Sequence, residues 1–211
     1  MKIIYLDTID STQRYLKDLL KSKELTSPVA VVANEQSNGE GSRGNSWIGK
    51  DGNLFLSFSI PIKDLPADLK LESSSIYFSY LLKQVLEDHG SKVWLKWPND
   101  FYIDHYKIGG TITNLVKDDL VCGIGLNLVS SPGGFSKLDI DITRENILKA
   151  YFEYLKKSIR WKHIFSKYKL EFHKSKNYFA HSEDIKVSLS NASLQDDGSI
   201  VSDGQRIFSL R

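Results

Sequence analysis

Three apolar runs lie close together in the middle of this chain, near residues 101–103, 107–116 and 120–129. The polar pair Asp104-His105 and the polar triplet Lys117-Asp118-Asp119 lie in the breaks between them. Short polar breaks between β-type runs are typical of hairpins. The spacing therefore predicts an antiparallel meander, and this constrains the fold more than any other feature of the sequence.

Strand-like and helix-like segments do not alternate one for one along the rest of the chain. Asp10-Ser11-Thr12 and Thr143 supply the chemistry of helix starts. Because strands mostly neighbour strands and helices come in blocks, the sequence favours an α+β fold over a doubly wound sheet. The further predicted strands and helices cover residues 2–6, 29–33, 54–60 and 93–96, and about 12–23, 70–89, 143–159 and 161–173, respectively.

A change of composition near Lys174 indicates a second, smaller unit. From Ile185 onward only short β-type runs occur, split by Asp197-Gly198 and Asp203-Gly204, which are strong hairpin signals. A length of 211 residues suits one domain with such an appendage. We therefore predict a main domain over residues 1–175 and a small β domain over residues 176–211.

Composition and charge narrow the cellular setting. The net charge is +2 and no block of Lys and Arg resembles a nucleic-acid-binding arm, so nucleic acid is not an expected partner. The single cysteine, Cys122, cannot form an internal disulfide and fits a small buried hydrophobe better than a catalytic thiol. The N-terminus reaches Asp7 too soon for a signal peptide, and no apolar run approaches membrane-spanning length. A cytoplasmic protein without a membrane partner is expected.

A glycine-rich stretch, Gly39-Glu40-Gly41-Ser42-Arg43-Gly44, matches the G-x-G-x-x-G pattern literally. A dinucleotide site would need a helix directly after it, and here a strand pattern follows. The lysine and aspartate motifs that accompany the kinase glycine loop are also missing from the sequence. Glycines still let backbone N–H groups approach an anion closely, so we interpret residues 37–53 as a structureless binding loop, with a plain hairpin loop as the alternative.

Lys96-Trp97-Pro98-Asn99-Asp100, followed by Lys107-Ile108-Gly109-Gly110, places two lysines, an amide–acid pair and a glycine pair around one short connection. A lysine between two anions offsets the repulsion that a carboxylate meets when it attacks a phosphate. Asn99 and Asp100 carry the oxygen atoms that Mg²⁺ prefers. A surface hairpin with ordinary solvated charges explains the spacing equally well, so the residues alone leave both interpretations open.

These two segments resemble the signature of biotin protein ligases, the biotin–[acetyl-CoA-carboxylase] ligases. Further matches follow in chain order. Asp10-Ser11-Thr12 resembles the D-S-T biotin motif of the family, and the stretch from Gln36 to Trp47 is similar to its biotinyl-adenylate loop. Gly123-Ile124-Gly125-Leu126-Asn127 resembles its G-I-G-x-N strand, and residues 198–211 resemble the end of its SH3-like domain.

The resemblance implies the biotin/lipoate ligase fold, a mixed or antiparallel sheet packed with helices and related to the class II synthetases, plus a small SH3-like module. It also implies a two-step reaction. Biotin and MgATP would give biotinyl-5′-adenylate, and a lysine of a biotin carboxyl carrier protein would then take the biotinyl group. The substrates and cofactors implied are thus biotin, ATP and Mg²⁺.

By the same resemblance, Lys107 would be the catalytic residue, bridging the biotin carboxylate and the α-phosphate. Asn99 and Asp100 would also hold Mg²⁺. The implied biotin-binding residues are Ser11, Thr12, Gln13, Gln36, Gly39, Gly41, Arg43, Trp47, Lys107, Gly110, Gly123 and Gly125. The implied ATP-binding residues are Arg43, Trp47, Lys96, Asn99, Asp100, Lys107 and Asn127.

The chain departs from the family pattern in its glycine loop. The three usual arginine positions carry Glu40, Ser42 and Asn45, and the loop's one arginine, Arg43, is in a variable position. Arginines there would clamp phosphate and carboxylate oxygens. We therefore expect weaker retention of the adenylate. No helix-turn-helix precedes the catalytic segment, so repressor function is not expected, and the C-terminal module is shorter than is usual.

Two other functions fit parts of this pattern. A lipoate or octanoate ligase or transferase of the same fold would also use a lysine near a glycine loop. A non-catalytic biotin- or nucleotide-binding module would account for the missing arginines, although Lys107, Asn99 and Asp100 argue against it. Relatives can pair edge to edge through their sheets, so a weak homodimer is a further expectation.

Overall fold

The computed structural model describes residues 1–41, 46–49, 51–129, 135–182 and 185–209. The main sheet has the strand order β1-β2-β4-β8-β7-β6-β5, and β3 pairs with β2 beside this path. Only β1 and β2 are parallel among the described pairs. Its strands are β1 (Lys2–Ile9), β2 (Val29–Glu40), β3 (Ser46–Gly49), β4 (Leu54–Pro61), β5 (Trp94–Lys96), β6 (Asp100–Ile103), β7 (Tyr106–Val116) and β8 (Asp119–Leu126).

The predicted meander is confirmed, because β6, β7 and β8 are antiparallel neighbours in chain order. The α+β class is confirmed too, with a mixed sheet and four α-helices in the described residues. Strand β5 ends at Lys96, two residues before Pro98, as the sequence predicts. The helices are α1 (Thr12–Lys21), α2 (Ser74–Asp88), α3 (Arg144–Lys156) and α4 (Trp161–Glu171).

The helices lie on both faces of the sheet. Successive side chains of a strand point to opposite faces, and β2 shows this clearly. Val29 and Val31 pack with Leu16 and Leu20 of α1, whereas Ala30 and Val32 belong to the larger core formed with α2, α3 and α4. Helix α1 is therefore the only described helix on its face of the sheet, and its N-terminus lies beside the end of β2 and the middle of β4.

Side chains at the starts of α1 and α3 satisfy backbone donors, as the sequence predicts. The Ser11 hydroxyl accepts from the Arg14 amide at 3.3 Å, and the Thr143 hydroxyl accepts from the Asn146 amide at 3.2 Å. Cys122 is fully buried in β8, and burial raises its thiol pKa well above the ordinary value. The interpretation of this cysteine as a small hydrophobe is confirmed.

The interpretation of residues 37–53 as structureless is wrong over much of its length. Strand β2 continues to Glu40, and β3 pairs with it, Gly39 opposite Trp47 and Glu40 opposite Ser46. Backbone pairing stabilises these polar, glycine-rich strands, so their side chains carry no strand pattern that the sequence could reveal. Residues 42–45 and 50 lie outside the described part of the chain.

The C-terminal region forms two small sheets. One joins β9 (Phe179–Ser182) to β10 (Ile185–Ser188), and the other joins β11 (Ser193–Leu194), β12 (Ile200–Ser202) and β13 (Gln205–Ile207). Asp203 and Gly204 form the turn between β12 and β13 with φ of +50° and +76°, as a two-residue hairpin turn requires. The small β module is confirmed, and the division at residue 175 stays a prediction.

Among the described helices, none is both long enough and apolar enough to cross a membrane.

Candidate functional site

A pocket that is partly open to solvent lies between the N-terminus of α1, the end of β2 and the strands β7 and β8. Polar side chains and glycines form most of its wall. The predicted site residues that line it are Ser11, Thr12, Gln13, Gln36, Gly41, Trp47, Asn99, Asp100, Lys107, Gly110, Gly123 and Gly125.

One end of the pocket is a buried hydrogen-bonded group of small polar side chains. The Gln36 side-chain oxygen accepts from both the amide and the hydroxyl of Thr12, at 2.8 and 2.9 Å. Ser57 of β4 lies 2.9 Å from the same hydroxyl, and because the Thr12 hydrogen is directed at Gln36, Ser57 is the donor of that bond. These hydrogen bonds fix the orientation of the groups, as a selective polar pocket requires.

Three buried polar atoms in this wall have no hydrogen-bond partner among the described residues: Gln13 Oε1, Thr111 Oγ1 and Trp47 Nε1. The Gln13 amide group donates to the Asn114 side chain at 3.1 Å and to the Val121 carbonyl at 3.3 Å, which directs its oxygen toward the pocket. An unpaired buried polar atom is costly, so these atoms are suited to bonds with a ligand.

Glycines in β7 and β8 make room for these side chains. A Cβ at Gly123 would lie 2.5 Å from Gln13 Oε1, and one at Gly125 would lie 2.6 Å from Trp47 Nε1. A Cβ at Gly110 would lie 3.2 Å from Asp100 Oδ1. The glycine pattern of these strands therefore shapes the pocket directly.

The other end of the pocket is charged. Lys107 Nζ lies 2.6 Å from Asp100 Oδ1, and Lys96 Nζ lies 3.1 Å from Asp100 Oδ2. Burial favours the neutral form of Asp100, but the two ammonium groups outweigh it, so the pKa of this carboxyl is lowered below its ordinary value. Two ammonium groups share one carboxylate, which leaves a net positive charge at this end.

Lys107 is the ammonium group that faces the pocket. It lies in β7 opposite Tyr102, and its Nζ is 6.0 Å from the centre of the Trp47 ring. Lys96 lies behind Asp100, away from the pocket wall. An anion that enters the pocket therefore meets Lys107 first. Because Lys96 pairs with the same carboxylate, it weakens the attraction between Asp100 and Lys107.

Asn99 and Asp100 do not form an open magnesium site as they are arranged. Both carboxylate oxygens of Asp100 already contact ammonium groups, which would repel a cation at the same place. The Asn99 amide group donates to the carbonyl of Thr111, which leaves only its oxygen as a ligand. No cluster of three or more His, Cys, Asp or Glu side chains able to hold a metal occurs within the described ranges.

The sequence profile of the biotin/lipoate A/B protein ligase family matches residues 5–127, more than half of the chain. The chain belongs to this family. The match spans every pocket residue of α1 and of β2 to β8, and it confirms the resemblance seen in the motifs.

Members of this ligase family with known structures share the whole fold. A biotin acetyl coenzyme A carboxylase synthetase from Helicobacter pylori, solved with biotinylated ATP, is 39% identical with a TM-score of 0.94, over 98% of this chain and 99% of that one. A biotin protein ligase from Aquifex aeolicus, solved with biotin and ATP, is 25% identical with a TM-score of 0.73, over 100% and 96% of the two chains. The bifunctional ligase/repressor BirA of Escherichia coli is 34% identical over 133 residues, which are 60% of this chain and 40% of that protein.

Some residues predicted for this ligase-family site lie outside the pocket wall. Gly39 lies where β2 and β3 approach, and a Cβ there would be 2.4 Å from the Trp47 carbonyl oxygen. The Asn127 side chain donates to the Ser136 carbonyl and so binds the segment after β8. Arg43 falls outside the described residues. Lys96, which the family resemblance assigns to ATP binding, lies behind Asp100 as seen from the pocket.

The pocket also contains residues that sequence reasoning missed: Glu40, Ser57, Thr111, Ile112 and Ile124. Ser57 carried a signal, because it is a polar residue inside an apolar buried strand. Thr111 directly follows the glycine pair of β7, and Ile124 lies between Gly123 and Gly125. In the sequence Glu40 is recognisable only as the replacement of a usual arginine, and its own contacts depend on the pairing of β2 with β3.

Proposed function

We propose that this protein is a biotin–protein ligase. It joins biotin to ATP as biotinyl-5′-adenylate and then transfers the biotinyl group to a lysine of a biotin carboxyl carrier protein. One observation carries the proposal: a buried polar group with unpaired hydrogen-bonding atoms and the partly buried Lys107 face the same pocket. A ligand that fits must have a neutral polar head and an anionic end.

Biotin has this character. Its ureido head offers two N–H donors and a carbonyl acceptor. The unpaired Gln13 oxygen accepts one N–H, and the Thr111 hydroxyl can accept or donate. The Ser11 hydroxyl oxygen already accepts from the amides of Arg14 and Glu40, so its hydrogen is available to the ureido carbonyl. A buried polar site of this kind rejects analogues that leave its groups unpaired.

Lys107 would act in the first step. A biotin carboxylate oxygen attacks the α-phosphorus of ATP, the bond to the bridging oxygen breaks, and pyrophosphate leaves. Both reactants are anions, and negative charge builds between them as they approach. The Lys107 ammonium group stabilises that charge, and it can leave Asp100 because Lys96 remains paired with the same carboxylate.

Nucleotide binding is proposed for the charged end of the pocket and for Trp47, whose ring lies beside Lys107. Magnesium would enter with the triphosphate and supply charge neutralisation. Asp100 could contact it only after an ammonium group moves away.

In the second step the lysine amine of the carrier attacks the acyl carbon of the adenylate. An amide bond forms, the bond from carbon to the phosphate oxygen breaks, and AMP leaves with the electron pair. The amine loses a proton in the process. The mixed anhydride must be kept from water until the carrier arrives, and the narrow polar end of the pocket supports this by holding the biotin head.

A lipoate or octanoate ligase remains the second candidate by fold. The dithiolane ring and the alkyl chain of those substrates are apolar, and they would leave Gln13 Oε1 and Thr111 Oγ1 buried without partners. The polar end of the pocket therefore favours biotin.

One experiment separates the candidates. The protein is incubated with MgATP, a biotin carrier domain and either biotin or lipoate, and the mass of the carrier is measured. A biotin adduct is expected, and it should be absent without ATP or when the target lysine of the carrier is changed to Arg. A lipoyl adduct without a biotin adduct would favour the second candidate, and no adduct from folded protein would favour a binding module.

A further inference from the structure

Glu40 lies at the end of β2 and lines the pocket, yet its carboxylate points to helix α1. Its Oε2 is 2.7 Å from Lys17 Nζ, and its Oε1 is 3.4 Å from Arg14 Nε. Arg14 also contacts Asp10 at 2.5 Å. Two acids and two bases thus form one network that joins the end of β2 to the first turns of α1.

Backbone bonds connect the same two segments. The Asn38 amide donates to the Asp10 carbonyl at 2.9 Å, and the Glu40 amide donates to the Ser11 hydroxyl at 3.4 Å. Ser11 and Thr12 on α1 and Gln36 on β2 are the polar residues on either side of this junction. The spacing between the two segments therefore sets the spacing of the groups that would hold the biotin head.

The Glu40–Lys17 pair differs from ordinary surface ion pairs. Its side chains are 26% and 19% exposed, whereas Lys21 and Asp18 of the same helix are both 61% exposed and lie 3.6 Å apart. Exposed pairs contribute little because water and salt screen them, and a partly buried pair within a network is screened less. Asp18 thus offers a matched control on the same helix.

We infer that Glu40 is a positioning residue, which holds the end of β2 against α1 through Lys17 and so keeps the biotin pocket narrow. This inference rests on the proposed function. The family pattern has arginine at this position, where it would contact the ligand's anionic groups directly. Here the acid acts on the wall of the pocket, and Arg14 and Lys17 neutralise a charge that would otherwise repel an anionic ligand.

The test compares Glu40→Gln, Lys17→Gln and the double variant with wild type and with Asp18→Asn. The probe is biotin without ATP. Biotin should dissociate roughly threefold to tenfold faster from either single variant, and hardly faster still from the double variant, because both changes break one pair. Asp18→Asn should match wild type. The KM for biotin should rise in Glu40→Gln while the KM for ATP stays unchanged, which general loss of stability would not produce.

A biotin dissociation rate within twofold of wild type in Glu40→Gln, or effects of the two single variants that add fully, would overturn the inference. Failure of the proposed function would look different, since wild type would then bind no biotin. In that case amide hydrogen exchange tests the positioning role of Glu40 without a ligand. The amides of Asn38 and Glu40 should exchange faster in Glu40→Gln and not in Asp18→Asn, and unchanged exchange would reject the positioning role.

Discussion

The indole Nε1 of Trp97 donates a 2.8 Å hydrogen bond to the carbonyl oxygen of Gly198, which lies in the turn between β11 and β12. Trp97 is almost fully buried, and its backbone amide donates to the Ser175 hydroxyl at 3.0 Å. The residue beside Lys96 is therefore bonded both to the segment that follows α4 and to the C-terminal β module. The module supports the charged end of the pocket although it does not line it.

Trp97→Phe should destabilise the protein by about 1–3 kcal/mol, because it leaves a buried carbonyl group unpaired. Urea unfolding measures this. Trp94→Phe is the matched control, since the Trp94 indole donates at 3.0 Å to the carbonyl of the exposed Asp104, where water can replace it. The free energy of unfolding of the control should fall by less, about 1 kcal/mol or below. Equal losses in the two variants would contradict the importance of the bond to Gly198.

Lys107→Ala should reduce biotin-dependent pyrophosphate release from ATP roughly 100- to 1000-fold, because it removes the positive charge between two reacting anions. Its fold should persist, since Asp100 keeps Lys96 as a partner. Lys117→Ala changes an exposed lysine in the turn between β7 and β8 and should retain wild-type activity. Full activity in Lys107→Ala would remove this lysine from the proposed step.

How much of this site the sequence predicts depends on the kind of contact. Ser11 could be predicted as the cap of α1, because capping depends on local chemistry alone. The pairing of β2 with β3 could not, because polar and glycine residues carry no strand pattern. The sharing of Asp100 by two lysines depends on the register of β6 against β7, including a shift between Phe101 and Tyr102. The motifs thus predict which residues lie together at the pocket, but they do not predict which of their atoms form hydrogen bonds or ion pairs.

Gly123→Ala should weaken biotin binding, with a KM for biotin at least about tenfold higher. The new methyl group would lie 2.5 Å from Gln13 Oε1 and displace the atom proposed to accept the ureido N–H. Gly110→Ala places its methyl group 3.2 Å from Asp100 Oδ1, so it should lower turnover and leave the biotin KM nearly unchanged. Steady-state kinetics with each substrate varied separates the two effects. The same defect in both variants would argue against distinct ends of the pocket.

Stability should depend on acid pH through Asp100. Its folded pKa is lowered below the ordinary value of about 4, so its ionised form stabilises the fold at higher pH. This contribution is complete above about pH 4 and is lost as the pH falls through the lower folded pKa. The difference in unfolding free energy between wild type and Asp100→Asn should be constant near neutral pH and shrink in acid. If the difference in unfolding free energy grew below pH 4, the pKa of Asp100 in the folded protein would be raised and not lowered.

Biotinyl-5′-adenylate should dissociate faster from this protein than from relatives whose glycine loop carries three arginines. Positions 40, 42 and 45 carry Glu40, Ser42 and Asn45, so the direct clamp on the phosphate is weaker. Ser42→Arg with Asn45→Arg should therefore slow dissociation of preformed adenylate. The further change Glu40→Arg adds a third arginine but also breaks the ion pair with Lys17. It should therefore slow dissociation of the adenylate less than an arginine that breaks no such pair. Dissociation from wild type at the rate of arginine-rich enzymes would refute this, and a full gain from Glu40→Arg would refute the role of Glu40.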